Sequence, residues 1–125
     1  MKKNNSLTAK QVLGAKGEEE ASKFLGDKGY RIIERNFRKP WGELDIVAIA
    51  PDKTLVFVEV KTTNGRFAPE EQMTGKKMRN FKTVASLYAG ANNRLIDDKK
   101  GFRLDLLALT ETDNGCNIVH YENVI

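Results

Sequence analysis

A single cysteine, Cys116, and a single histidine, His120, are all the thiol and imidazole that this 125-residue chain carries. One thiol closes no internal disulfide, so a reducing, cytoplasmic location is expected. Zinc sites of the Cys/His kind are excluded, and so is chemistry that needs several imidazoles. Long apolar runs are missing as well: the longest spans Ile46 to Ala50, with Leu55 to Val58 next. A membrane helix needs about 20 apolar residues, so no membrane association is expected. No apolar segment follows the basic start Met1-Lys2-Lys3, and no secretory signal is expected. There is no internal repeat, no low-complexity tract and no linker.

What the chain does have is a globular balance, 40% apolar and 30% charged residues. Its length suits one domain over residues 1–125, with a polar tail over residues 1–7. Lysine and arginine number 21 against 17 acids, a net charge of +4 that is compatible with a polyanionic partner.

Leu13, Gly17, Ala21 and Phe24 recur at helical spacing, which predicts a helix over Thr8–Lys28 closed by Gly26 and Gly29. Strands are expected over Tyr30–Phe37, Glu43–Ala50 and Thr54–Lys61. A helix over Thr74–Ala89 and strands over Phe102–Leu109 and Ile118–Val124 complete the order, with a polar loop at 90–101. Helix, three strands, helix and two strands make an α/β domain with a mixed sheet. The third strand is apolar on both faces and is expected at its centre.

That strand, Leu55-Val56-Phe57-Val58-Glu59-Val60-Lys61, ends in two opposite charges that share a face with Leu55 and Phe57. A carboxylate there is costly unless it is paired or holds a metal. The preceding strand sets Glu43, Asp45, Val47 and Ile49 on one face, so hairpin pairing brings Asp45 near Glu59. Two such carboxylates repel, and a divalent cation is the simplest relief. Helical phase turns Glu18 toward the Ala21/Leu25 side and leaves Glu19 and Glu20 outward. In the second helix it turns Lys77 inward with Phe81 and Val84, while Lys76, Arg79 and Lys82 lie on the other faces. Trp41, in a turn, is expected to cap the core edge, and His120 to lie on a strand surface.

The order Gly17-Glu18, Gly42-Glu43-Leu44-Asp45, Phe57-Val58-Glu59-Val60-Lys61, Lys77 with Ala85, and Arg103-Leu104-Asp105 resembles the YraN-type family of small bacterial proteins. The resemblance covers about residues 13–110. It implies a restriction-endonuclease-like three-layer fold, a central mixed β-sheet flanked by α-helices, similar to Holliday-junction resolvases. It further implies a DNA endonuclease site with Asp45, Glu59, Lys61 and Glu18 as catalytic residues. Asp45, Glu59 and the Val60 carbonyl would hold Mg²⁺ or Mn²⁺, and Lys77, Lys76, Arg79 and Lys82 would meet DNA. A homodimer is compatible with this reading. An idle nucleic-acid-binding module and a non-enzymatic scaffold stand beside it as alternatives. Thr63, and Ala68 after Phe67, depart from the family pattern in segments that would face a substrate.

Overall fold

Apolar residues on both faces of one strand need cover on both sides, and that requirement organises the protein. The computed structural model describes residues 9–63 and 75–124, with the side chains of its first helix described from Gly17 onward. The elements are α1 (Ala9–Asp27), β1 (Arg31–Lys39), β2 (Gly42–Ile49), β3 (Leu55–Thr63) and α2 (Gly75–Ala91). A short 3-10 turn (Asn93–Leu95), β4 (Phe102–Thr112) and β5 (Gly115–Tyr121) follow.

The strands form one sheet in the order β1-β2-β3-β4-β5, so β3 is central as expected. Its pairing with β2 is antiparallel and its pairing with β4 is parallel, which makes the sheet mixed. A parallel pair needs a crossover, and α2 lies in that connection. Val56 and Val58 pack with Ala21 and Leu25 of α1 on one face. Leu55 and Phe57 pack with Phe81, Val84 and Ala85 of α2 on the other. The result is an α/β protein of three layers, compatible with the nuclease-like architecture.

Helix α1 stops where Gly29 takes φ +90° and the Tyr30 amide donates to the Leu25 carbonyl at 3.0 Å. Left-handed backbone of this kind favours glycine. Gly26 stays inside the helix, so only one of the two expected stops acts. Several strand boundaries also differ from expectation: β3 runs on to Thr63, β4 to Thr112, and β5 ends at Tyr121 instead of Val124. β1 runs on to Lys39 because Arg38 and Lys39 pair with Glu43 and Gly42. β5 begins at Gly115 instead of Ile118, since Asp113 and Asn114 form a tight turn that sets Thr112 opposite Gly115. The expected helix starts at Thr8 and Thr74, and the departures at Phe67 and Ala68, lie outside the described residues. No described helix is long and apolar enough to cross a membrane.

Candidate functional site

The β2–β3 hairpin is regular from its turn up to the pair Ile46↔Val58, and there its ladder ends. One more step would set Asp45 against Glu59. The strands part instead, and the Val60 amide donates to Asp45 Oδ2 at 2.8 Å. Alternation along β2 slips at the same point. Leu44 and Val47 both pack on the α2 side, while Ile46 and Ala48 pack on the α1 side. Across from Asp45, Asn36 of β1 has φ +55°, between the pairs Arg35↔Ile46 and Phe37↔Leu44. The expected common face of Asp45, Val47 and Ile49 is therefore broken. Asp45 reaches into the gap between two strands, and Val60 meets it through its amide.

Asp45 and Glu59 are nevertheless near enough for the charge of Asp45 to act on Glu59. Burial, and then the neighbouring Asp45, push Glu59 up to about 7. Burial also raises Asp45, against the opposing pull of the Val60 amide and Arg38. Lys61 Nζ stands 3.2 Å from Glu59 Oε2 and offsets part of this charge.

Glu18 reaches the same place from the other layer. Gly17 allows it: a Cβ there would lie 2.5 Å from Thr62 Oγ1, so α1 rests directly on β3. Burial and then Asp45 raise the Glu18 carboxyl above its ordinary range. Glu19 points to solvent and pairs with Arg35 at 3.0 Å, as its phase predicts. Glu20 is half-buried, not fully outward.

Arg38 belongs to the site and is absent from the residues singled out in the sequence. Its guanidinium lies 3.8 Å from Glu18, 3.4 Å from Glu43 and 3.7 Å from Asp45. The signal was the hairpin itself, because a turn at Pro40-Trp41 puts Arg38 opposite Glu43.

Beside the acids, on the α2 side, opens a cleft of about 410 Å³ lined by Trp41, Glu43, Glu59, Lys61, Lys77 and Val84 among others. Lys77 is exposed, as Lys76 is, so the expectation of an inward lysine is corrected. It sits one turn before Phe81, where the buried stripe of α2 begins, and it overhangs the cleft instead of entering the core. Lys76, Arg79 and Lys82 are exposed and do not line the cleft. Trp41 is 52% exposed and forms the rim, so it does not cap the core. Phe37 takes that role, edge-to-face against both Trp41 and Tyr88.

A second charged cluster lies between β4, β5 and the end of α1. Asp105 is 0% exposed and accepts four hydrogen bonds. Arg103 Nε and Nη2 donate at 2.9 and 3.0 Å, the Asn123 amide at 2.9 Å and His120 Nε2 at 2.8 Å. Arg103 Nη2 also donates to the Tyr30 hydroxyl at 2.7 Å. Lys28 Nζ stands 2.7 Å from His120 Nδ1. Lysine has only donors, so Nδ1 accepts and Nε2 carries the proton given to Asp105. The side chain of His120 is 5% exposed, which corrects its expected surface position. Its partner stands on the neighbouring strand.

These residues match known proteins over most of their length. The model of uncharacterised protein family UPF0102 matches residues 17–109. A UPF0102 protein of Pelobacter propionicus is 42% identical over 111 residues, 86% of this chain and 77% of the relative. Another, from Syntrophomonas wolfei, is 41% identical over 113 residues, 89% of this chain and 95% of the relative. A third, from Corynebacterium efficiens, is 38% identical over 119 residues, 94% of each. The matched span holds Glu18, Arg38, Asp45, Glu59, Lys61, Lys77 and Asp105 alike, and with it the YraN-type resemblance is borne out: the chain belongs to the family UPF0102.

Proposed function

We propose that this protein hydrolyses phosphodiester bonds in DNA with the help of a divalent cation. The observation that carries the reading is the Asp45–Glu59 pair. Two neighbouring carboxyl groups, Asp45 buried and Glu59 half-buried, stand at a break in the sheet, and Lys61 lies 3.2 Å from Glu59.

Among the described residues no group of three or more histidine, cysteine or acidic side chains is arranged to hold a metal. Two carboxylates still suit Mg²⁺ or Mn²⁺, because Mg²⁺ keeps several waters and is bound through one or two carboxylates. The donors are all oxygen, which fits hard ions. Asp45 and Glu59 would hold the cation, and Glu18 would reach it through water. When bound, it supplies Lewis-acid polarisation of a phosphate oxygen and a bound water of lowered pKa.

The protein's own groups then have separate tasks. Asp45 is oriented by the Val60 amide and Glu59 by Lys61. Lys61 is placed to hold an attacking water and to balance charge that develops on the phosphate. Lys77 at the cleft, with Lys76, Arg79 and Lys82 further along α2, supplies phosphate contacts and salt-dependent affinity.

Purified protein on linear and branched DNA, with Mg²⁺, Mn²⁺ or EDTA, tests this. Cleavage is expected with either metal, none with EDTA, and none from Glu59→Gln or Lys61→Ala. Binding should survive both changes. One observation favours a second reading, an idle binding module. The Arg38 guanidinium already balances Glu18 and Asp45, as a fixed cation would. Metal-independent binding without cleavage would establish that reading.

A further inference from the structure

The rim of the cleft bears an exposed indole, and no step of the hydrolysis proposed above uses it. Trp41 is the chain's one tryptophan, 52% exposed, on the turn between β1 and β2. The turn is held firmly. Phe37 packs edge-to-face beneath the indole with centroids 5.8 Å apart, and Phe37 in turn packs on Tyr88. Gly42, the residue after Trp41, lies so close to α2 that a Cβ would collide with Val84 Cγ2. Trp41 is thus a braced aromatic platform.

The walls of the cleft differ in charge. Glu43 and Glu59 make one side acidic, with Lys61 paired to Glu59, and Lys77 stands on the other with the polar side chains of Asn80 and Thr83. Without a bound cation the acids of the first wall disfavour phosphate, whereas Lys77 attracts it. A flat uncharged ring suits the indole. A volume of about 410 Å³ lies within the usual range for small-ligand sites. These features together call for one nucleotide, its base on Trp41 and its phosphate toward Lys77.

We propose that the cleft takes an unpaired nucleotide stacked on Trp41, so that the preferred substrate is single-stranded DNA or a duplex with a displaced base. This rests on the nuclease reading for its ligand class and adds the substrate form. Stacked duplex hides its base faces, and exposing one costs a few kcal/mol. Aromatic stacking on an unpaired base returns about 1–3 kcal/mol and tolerates any sequence.

The single tryptophan gives the test its signal. Fluorescently labelled oligothymidylate and a labelled hairpin duplex are titrated into the full chain in EDTA, following label anisotropy and Trp41 emission together. The single strand should quench the emission as it binds, and the duplex should bind with little quenching. Trp41→Ala, checked for native melting, should weaken single-strand binding about tenfold and leave duplex binding unchanged, as loss of one stack predicts. Trp41→Phe should restore most of the loss. Single-strand binding without quenching, or an equal loss on both DNA forms, overturns the stacking proposal and leaves the nuclease reading standing. No anisotropy change with either DNA overturns both.

Discussion

Two buried aspartates in this molecule, Asp45 and Asp105, meet opposite electrostatic fates. Both lie on central strands and both are shielded from water. Asp105 has a donor for every lone-pair direction: a bidentate arginine, a histidine and a backbone amide. Burial pushes its carboxyl upward, yet the bonds from His120, Arg103 and Asn123 outweigh this and hold it below the ordinary range. Asp45 has one backbone donor, a distant guanidinium and a second carboxyl group. Burial therefore wins there and the carboxyl rises. A saturated carboxylate fastens elements together, whereas an unsaturated one retains capacity for a cation. Depth of burial alone does not tell the two apart.

Removing Asp105 should have the largest effect on stability. Asp105→Ala leaves the half-buried Arg103 without its main partner, and breaking a largely buried pair in this way costs up to about 3–5 kcal/mol. Urea unfolding would measure it, and a loss below about 1 kcal/mol, the ceiling for an ordinary surface pair, would place Asp105 in the same class as Asp45.

Glu59→Gln should act in the other direction. The folded pKa of Glu59, about 7, lies above its ordinary value of 4.5, so the folded state binds the proton more tightly. Its contribution is present below pH 4.5 and is lost as pH rises toward 7. With about 1.4 kcal/mol per pKa unit the full loss is up to about 3 kcal/mol. Asp105 has the opposite sign, because its pKa is depressed: its contribution is present above pH 3.8 and is lost as pH falls further. Melting temperatures of the wild type should decline between about pH 5 and about pH 7.5, and those of Glu59→Gln should stay flatter. A steeper decline in the variant would assign the pH dependence to another group.

Metal sharpens the contrast. A saturating cation that binds only the folded state stabilises it, by about 2.7 kcal/mol at a hundred times its Kd. Mn²⁺ should raise the wild-type melting temperature at about pH 7.5, leave Glu59→Gln unchanged, and raise Trp41→Ala as much as the wild type. A gain in all three proteins would mean that the ion binds elsewhere. Charge reversal at Lys76, Arg79 and Lys82 should have the smallest effect on stability, within about 0.5 kcal/mol. It should instead flatten the salt dependence of DNA binding, by about 0.9 in slope for each phosphate that is no longer neutralised.

Much of the site lay open in the sequence because its parts are close in the chain. Period-two patterning and a short turn suffice to bring Asp45 to Glu59, and helical phase suffices for Glu18. The face of Asp45 was not legible, since one break in alternation shifts a strand's phase and hydropathy carries no mark of it. Lys77 misled because phase gives a direction around the helix but not how far the core extends along it. The Asp105 cluster was hidden by distance: Tyr30 and Arg103 are 73 residues apart. A polar residue on an apolar strand looks like surface until its partner is known.

Among the described strands, β3 and β4 form the single parallel pair, with α2 in the connection between them. That seam divides the sheet into two sets of strands that are near neighbours in the chain. β1 through β3 can assemble as a meander of near neighbours, and so can β4 with β5, whereas joining the two must wait for the longer loop to close. Arg38, Asp45, Glu59 and Lys61 all lie in the first part, so the acid pair can come together before the sheet is complete. The Tyr30–Arg103 bond crosses the seam and can form only afterwards. Slow steps in refolding should therefore register at Tyr30 and Lys28, which reach across the seam to Arg103 and His120, while the Asp45–Glu59 pair is already in place.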